Sequence, residues 1–73
     1  MLPTPHQPKE QALEMYYTAY ELCLDMNKDA PEEINKTQAK RIVLYALKYI
    51  TIVSTSQEIR TYWLEALDEL NKI

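Results

Sequence analysis

Residues 27–33 read Asn27-Lys28-Asp29-Ala30-Pro31-Glu32-Glu33, a stretch in which one helix has to stop and another has to start. Asparagine tolerates left-handed backbone, so Asn27 can stand in for the glycine that commonly ends a helix. Asp29 is a capping residue type, and Pro31 suits a first turn, where its missing N–H costs nothing. Glu32 and Glu33 favour the positive end of the helix dipole. A second boundary of this kind follows at Ser54-Thr55-Ser56-Gln57-Glu58, where Thr55 and Glu58 have capping-box spacing.

Outward from these two boundaries, the hydropathy pattern is helical on every side. Before Asn27, the apolar positions Ala12, Tyr16, Ala19, Cys23 and Met26 step by three and four, and Glu14, Thr18, Glu21 and Asp25 repeat on the opposite face. Between the boundaries, Ala39, Ile42, Ala46, Tyr49 and Val53 form the expected inward stripe. Asn35 or Thr37 could cap a later start, which leaves a break in this helix as an alternative. The β-branched run Ile50-Thr51-Ile52-Val53 resembles a strand but has no second strand-like segment to pair with. After Ser56, the stripe is Ile59, Tyr62, Trp63, Ala66, Leu67, Leu70 and Ile73, with Leu64 alone outside it. The expectation is an all-α, antiparallel three-helix bundle, up-down-up, with helices over residues 8–28, 30–53 and 55–72. Residues 1–7 are expected to be a flexible proline-rich arm, and residues 8–73 one bundle domain.

Composition excludes more than it identifies. The 73 residues include no glycine and no phenylalanine, one cysteine and one histidine, with a net charge of −3. Without glycine there is no phosphate-cradling loop, dinucleotide fingerprint or nucleophile elbow, since each needs backbone that only glycine adopts. His6 lies in the proline-rich arm, where a general base could not hold its distance to a nucleophile. Cys23 falls on the apolar face of helix 1 and reads as a buried, inert thiol. One His and one Cys make no metal-ligand set, and Glu14, Glu21 and Asp25 lack the accompanying histidine of a di-iron helix pattern. The chain is therefore read as no enzyme, with no cofactor, no metal and no small-molecule substrate. The longest apolar run, Ile42 to Leu47, is far too short to cross a bilayer, and no signal-peptide pattern opens the chain. Cytoplasmic localisation is the expectation.

Charge and apolar width suggest association. Residues 1–33 carry seven acids against two bases (−5), residues 34–53 four bases and no acid (+4), and residues 54–73 four acids against two bases (−2). The basic residues Lys36, Lys40, Arg41 and Lys48 raise a nucleic-acid-binding alternative, against which the acidic whole and the long helices weigh. Helix 1 carries a second seam, Met15, Ala19, Leu22 and Met26. Helix 2 adds Val43, Leu47 and Ile50, with Leu44 nearly opposite its core stripe. Met15, Leu22, Met26, Leu44 and Leu47 are thus the expected partner-binding residues, more apolar surface than so short a chain covers alone. Six tyrosines point the same way, because a buried tyrosine needs a partner for its hydroxyl and an interface supplies one readily. The expected function is a protein-interaction or regulatory module, acting as a homodimer or with another protein partner.

Overall fold

A computed structural model describes residues 6–73 as three helices: α1 (Pro8–Met26), α2 (Glu32–Val53) and α3 (Gln57–Asn71). Each helix packs on both others, giving a small three-helix bundle without strands among the described residues. α2 is continuous through Asn35 and Thr37. The hydroxyl of Thr37 donates to the Glu33 carbonyl (2.8 Å), a bond made inside the helix rather than at a helix start.

Both boundaries fall in the stretches the sequence marks, with α1 ending two residues earlier and α2 and α3 each starting two residues later than expected, and the capping chemistry differs. Asn27 ends α1 at φ −135°, not in the left-handed region, and its N–H donates to the Cys23 carbonyl at 2.9 Å. The Asn27 carbonyl in turn accepts from the Ala30 N–H (3.1 Å), closing a turn that leads the chain directly into Pro31. Pro31, not Asp29, precedes the first residue of α2, and no side chain caps that end. The cap at the later boundary shifts as well, by one residue. Ser56 caps α3, its Oγ accepting from the Ile59 N–H at 3.4 Å, in place of a box built on Thr55. Arg60 completes this corner by donating to the Ser54 carbonyl at 2.7 Å, so the end of α2 is tied to the first turn of α3.

The core holds Ala12, Tyr16, Ala19 and Cys23 from α1, and Tyr62, Trp63, Ala66 and Leu70 from α3, as their periodicity predicts. α2 departs from expectation. Its buried positions are Asn35, Ala39, Val43 and Leu47, with Ile50 packed alongside, whereas Ile42, Tyr49 and Val53 are more than half exposed. The expected stripe is split: Ala39 is buried and Ala46 half-buried, while Ile42, Tyr49 and Val53 face out, and the expected second seam of Val43, Leu47 and Ile50 faces inward in their place. Hydropathy does not separate the two stripes, since each carries three large apolar side chains, and the inward one also contains Asn35. That residue is fully buried, its Nδ2 donating to the Asn27 carbonyl at 3.4 Å while its Oδ1 has no partner among the described residues. The contact ties the start of α2 to the end of α1.

The start of the described chain is held as well. Tyr62, almost fully buried on α3, donates its hydroxyl to the His6 carbonyl at 2.7 Å, and His6 Nε2 lies 2.8 Å from Glu14 Oε2 on α1. His6 thus contacts both α1 and α3. The rest of the expected arm, residues 1–5, lies outside the described residues.

Candidate functional site

On α2, Ile42, Tyr45, Tyr49 and Ile52 follow one another at steps of three, four and three residues, the spacing that lines up side chains along one face of a helix. They are 53%, 64%, 67% and 78% exposed, too much apolar surface on one line to be scattered chance exposure. The stripe borders a groove of about 260 Å³ between α1 and α2, which Met15 and Leu22 line from one side and Ile42 and Ala46 from the other. Together they make one apolar face spanning two helices.

The expected partner-binding residues divide on this geometry. Leu22 is exposed at the groove, and Met15 is half-buried within it, its side chain packed partly on the core. Met26, 81% exposed, stands at the last turn of α1. Leu44 is half-buried against the core and sits beside Thr37, Lys40 and Arg41, away from the groove. Leu47 is fully buried and belongs to the core, so it drops out of the candidate surface. The residues missed by sequence are Ile42, Tyr45, Tyr49 and Ile52. Their coiled-coil-like spacing was legible, and so was the abundance of tyrosine, whose ring tolerates burial in an interface while its hydroxyl stays wet.

Charged rims flank this face with opposite sign. Arg41 lies beside Ile42 and Tyr45, and Lys48 lies two turns further along the same edge of α2. On the far side of the groove, α1 presents Glu14, Glu21 and Asp25, all exposed. Arg41, Lys48 and Glu21 make no ion pair among the described residues, whereas Glu14 holds His6. The four basic residues of α2 spread over a wide arc of the helix, with Lys40 and Arg41 meeting at the hollow beside Leu44. Lys36 and Lys40 sit roughly 110° around the helix from Arg41 and Lys48. Lys36 is engaged by Glu32 at 3.3 Å, a hydrogen-bonded pairing that holds its ammonium above the usual lysine range.

The aromatic residues sort by the same logic. Tyr16 is buried and stacked on Tyr20 (6.4 Å), with Tyr17 at its edge (5.5 Å), and Tyr62 meets Trp63 edge-on at 5.0 Å. Burial raises the Tyr16 phenol above its ordinary value, with nearby Lys36 opposing the shift. Cys23 is a buried free thiol, as its position on α1 predicts. No group of three His, Cys, Asp or Glu among the described residues is placed to hold a metal ion, and no described helix is long and apolar enough to cross a membrane. Compared with protein-family models, with curated proteins and with solved structures, the chain has no match in any of the three.

Proposed function

We propose that this chain is a non-catalytic association module whose α1–α2 face pairs with a second copy of itself. The observation that carries the reading is the exposed stripe Ile42, Tyr45, Tyr49 and Ile52 beside the Met15–Leu22 groove. Apolar surface gathered on one face is characteristic of association sites, and tyrosine and methionine are enriched in them. A nucleic-acid role finds less support, because the basic side chains spread over a wide arc of α2 and acidic helices flank them.

Sedimentation equilibrium over a range of concentrations tests the proposal. The 8.6 kDa chain should double in mass at micromolar concentration. The double variant Ile42→Ser/Tyr49→Ser should stay monomeric while keeping its helical circular dichroism, since both side chains lie outside the core. A wild-type mass of one chain at every concentration would sink it. Retention on generic DNA or RNA that weakens steeply with salt, without self-association, would transfer the function to the basic residues.

A further inference from the structure

We infer that the two copies meet about a two-fold axis parallel to the helices, so that α1 of each lies on α2 of the other and charge sets the register. This rests on the self-association reading above and specifies its geometry. The contact between Asn35 Nδ2 and the Asn27 carbonyl marks one level shared by the antiparallel α1 and α2. Glu21 lies six residues back from Asn27 and Arg41 six residues on from Asn35; Glu14 and Lys48 are each thirteen residues away. Both helices rise equally per residue, so Glu21 stands level with Arg41 and Glu14 level with Lys48, on opposite rims of the same face.

An axis parallel to the helices preserves those levels while exchanging the rims. Glu21 of one copy then faces the partner's Arg41, and Glu14 faces the partner's Lys48, each pairing occurring twice in the isologous contact. Between the rims, Ile42, Tyr45 and Tyr49 of each copy meet Met15 and Leu22 of the other. The alternative two-fold axis, perpendicular to the helices, lays α2 on α2 and brings the Arg41 and Lys48 edges together, like charge on like. Opposite charges across an interface fix register and suppress wrong pairings more than they add affinity. Glu21 and Arg41 are the decisive pair, because Glu14 already holds His6 at 2.8 Å.

The test uses two single variants of the full chain, Arg41→Glu and Glu21→Arg, measured separately and mixed. Alone, each variant places like charges at both Glu21–Arg41 contacts, and its dimer should weaken about ten-fold or more. Mixed in equal amounts, each chain supplies what the other lacks at both contacts. A one-to-one heterodimer should then form with affinity within about three-fold of wild type. Both substitutions are at exposed helical positions, and circular dichroism confirms that each variant is folded. As a readout that needs no variant, wild-type dissociation should increase with ionic strength. Single variants that dimerise like wild type, a folded mixture that stays monomeric, or wild-type association indifferent to salt would each overturn the charge register. In all three cases the apolar pairing itself would stand. A monomeric wild type would instead overturn the self-association on which the register depends.

Discussion

Asn35 is the one buried polar residue among the described residues. It is fully buried, donates one long hydrogen bond to the end of α1, and leaves its Oδ1 without a partner among them. A buried polar atom of this kind costs about 1–3 kcal/mol. The amide is better explained as tying the start of α2 to the end of α1 than as adding stability, a role known for buried polar residues that fix register. Replacing it with leucine, which is similar in size, should leave urea-unfolding stability equal or higher. Asn35→Asp should lower stability by more than about 2 kcal/mol, because an unpaired carboxylate would be buried against the Asn27 carbonyl oxygen. A loss above about 1 kcal/mol in the leucine variant would mean that the hydrogen bond to Asn27 matters for stability as well as for register. Burial also puts Asn35 out of reach as the acceptor of its Asn35-Lys36-Thr37 sequon in the folded chain.

Among the elements, α3 and α1 were legible from their periodicity, and α2 was not. α3 has one narrow apolar stripe, so only one of its faces could turn inward, and Tyr62, Trp63, Ala66 and Leu70 do. α2 is apolar over most of its circumference, and a three-to-four-residue period fits either of two neighbouring stripes equally well. Taking Ala39, Ile42, Ala46, Tyr49 and Val53 as the inward stripe put Ile42 and Tyr49 inside and Leu47 outside, the reverse of the fold. The exchange has a direct energetic signature. Leu47→Ala should cost about 2–5 kcal/mol in chemical denaturation, the range for a leucine truncated in a packed core. Ile42→Ala, at an exposed position, should cost less than about 1 kcal/mol at concentrations where the chain is monomeric. Equal losses at the two sites would contradict the observed rotation of α2. The candidate face was half legible for the same reason. Met15 and Leu22 were found from α1, whose polar face is unambiguous, while their neighbours on α2 were assigned to the core.

At the scale of the whole molecule, a chain of 73 residues supports only a small core, and among the described residues four of the eleven buried apolar side chains are alanines. Small residues let the helices approach closely, but they contribute little buried area each. Pairing through the α1–α2 face would add apolar burial that the single chain lacks. Unfolding of a self-associating chain depends on concentration by mass action. The thermal midpoint should therefore rise by several degrees as concentration increases from well below to well above the dimer dissociation constant, and a midpoint independent of concentration would count against pairing. The number of helices, their approximate ends and the inward faces of α1 and α3 were legible in local sequence, because helix-breaking residues and apolar periodicity act within a few turns. Which face of α2 turns inward, and therefore which residues remain to meet a partner, was decided only in the tertiary structure. The reason is physical: two stripes of comparable hydrophobicity offer similar burial, and the choice passes to how α2 packs against α1 and α3 together, which no periodicity encodes.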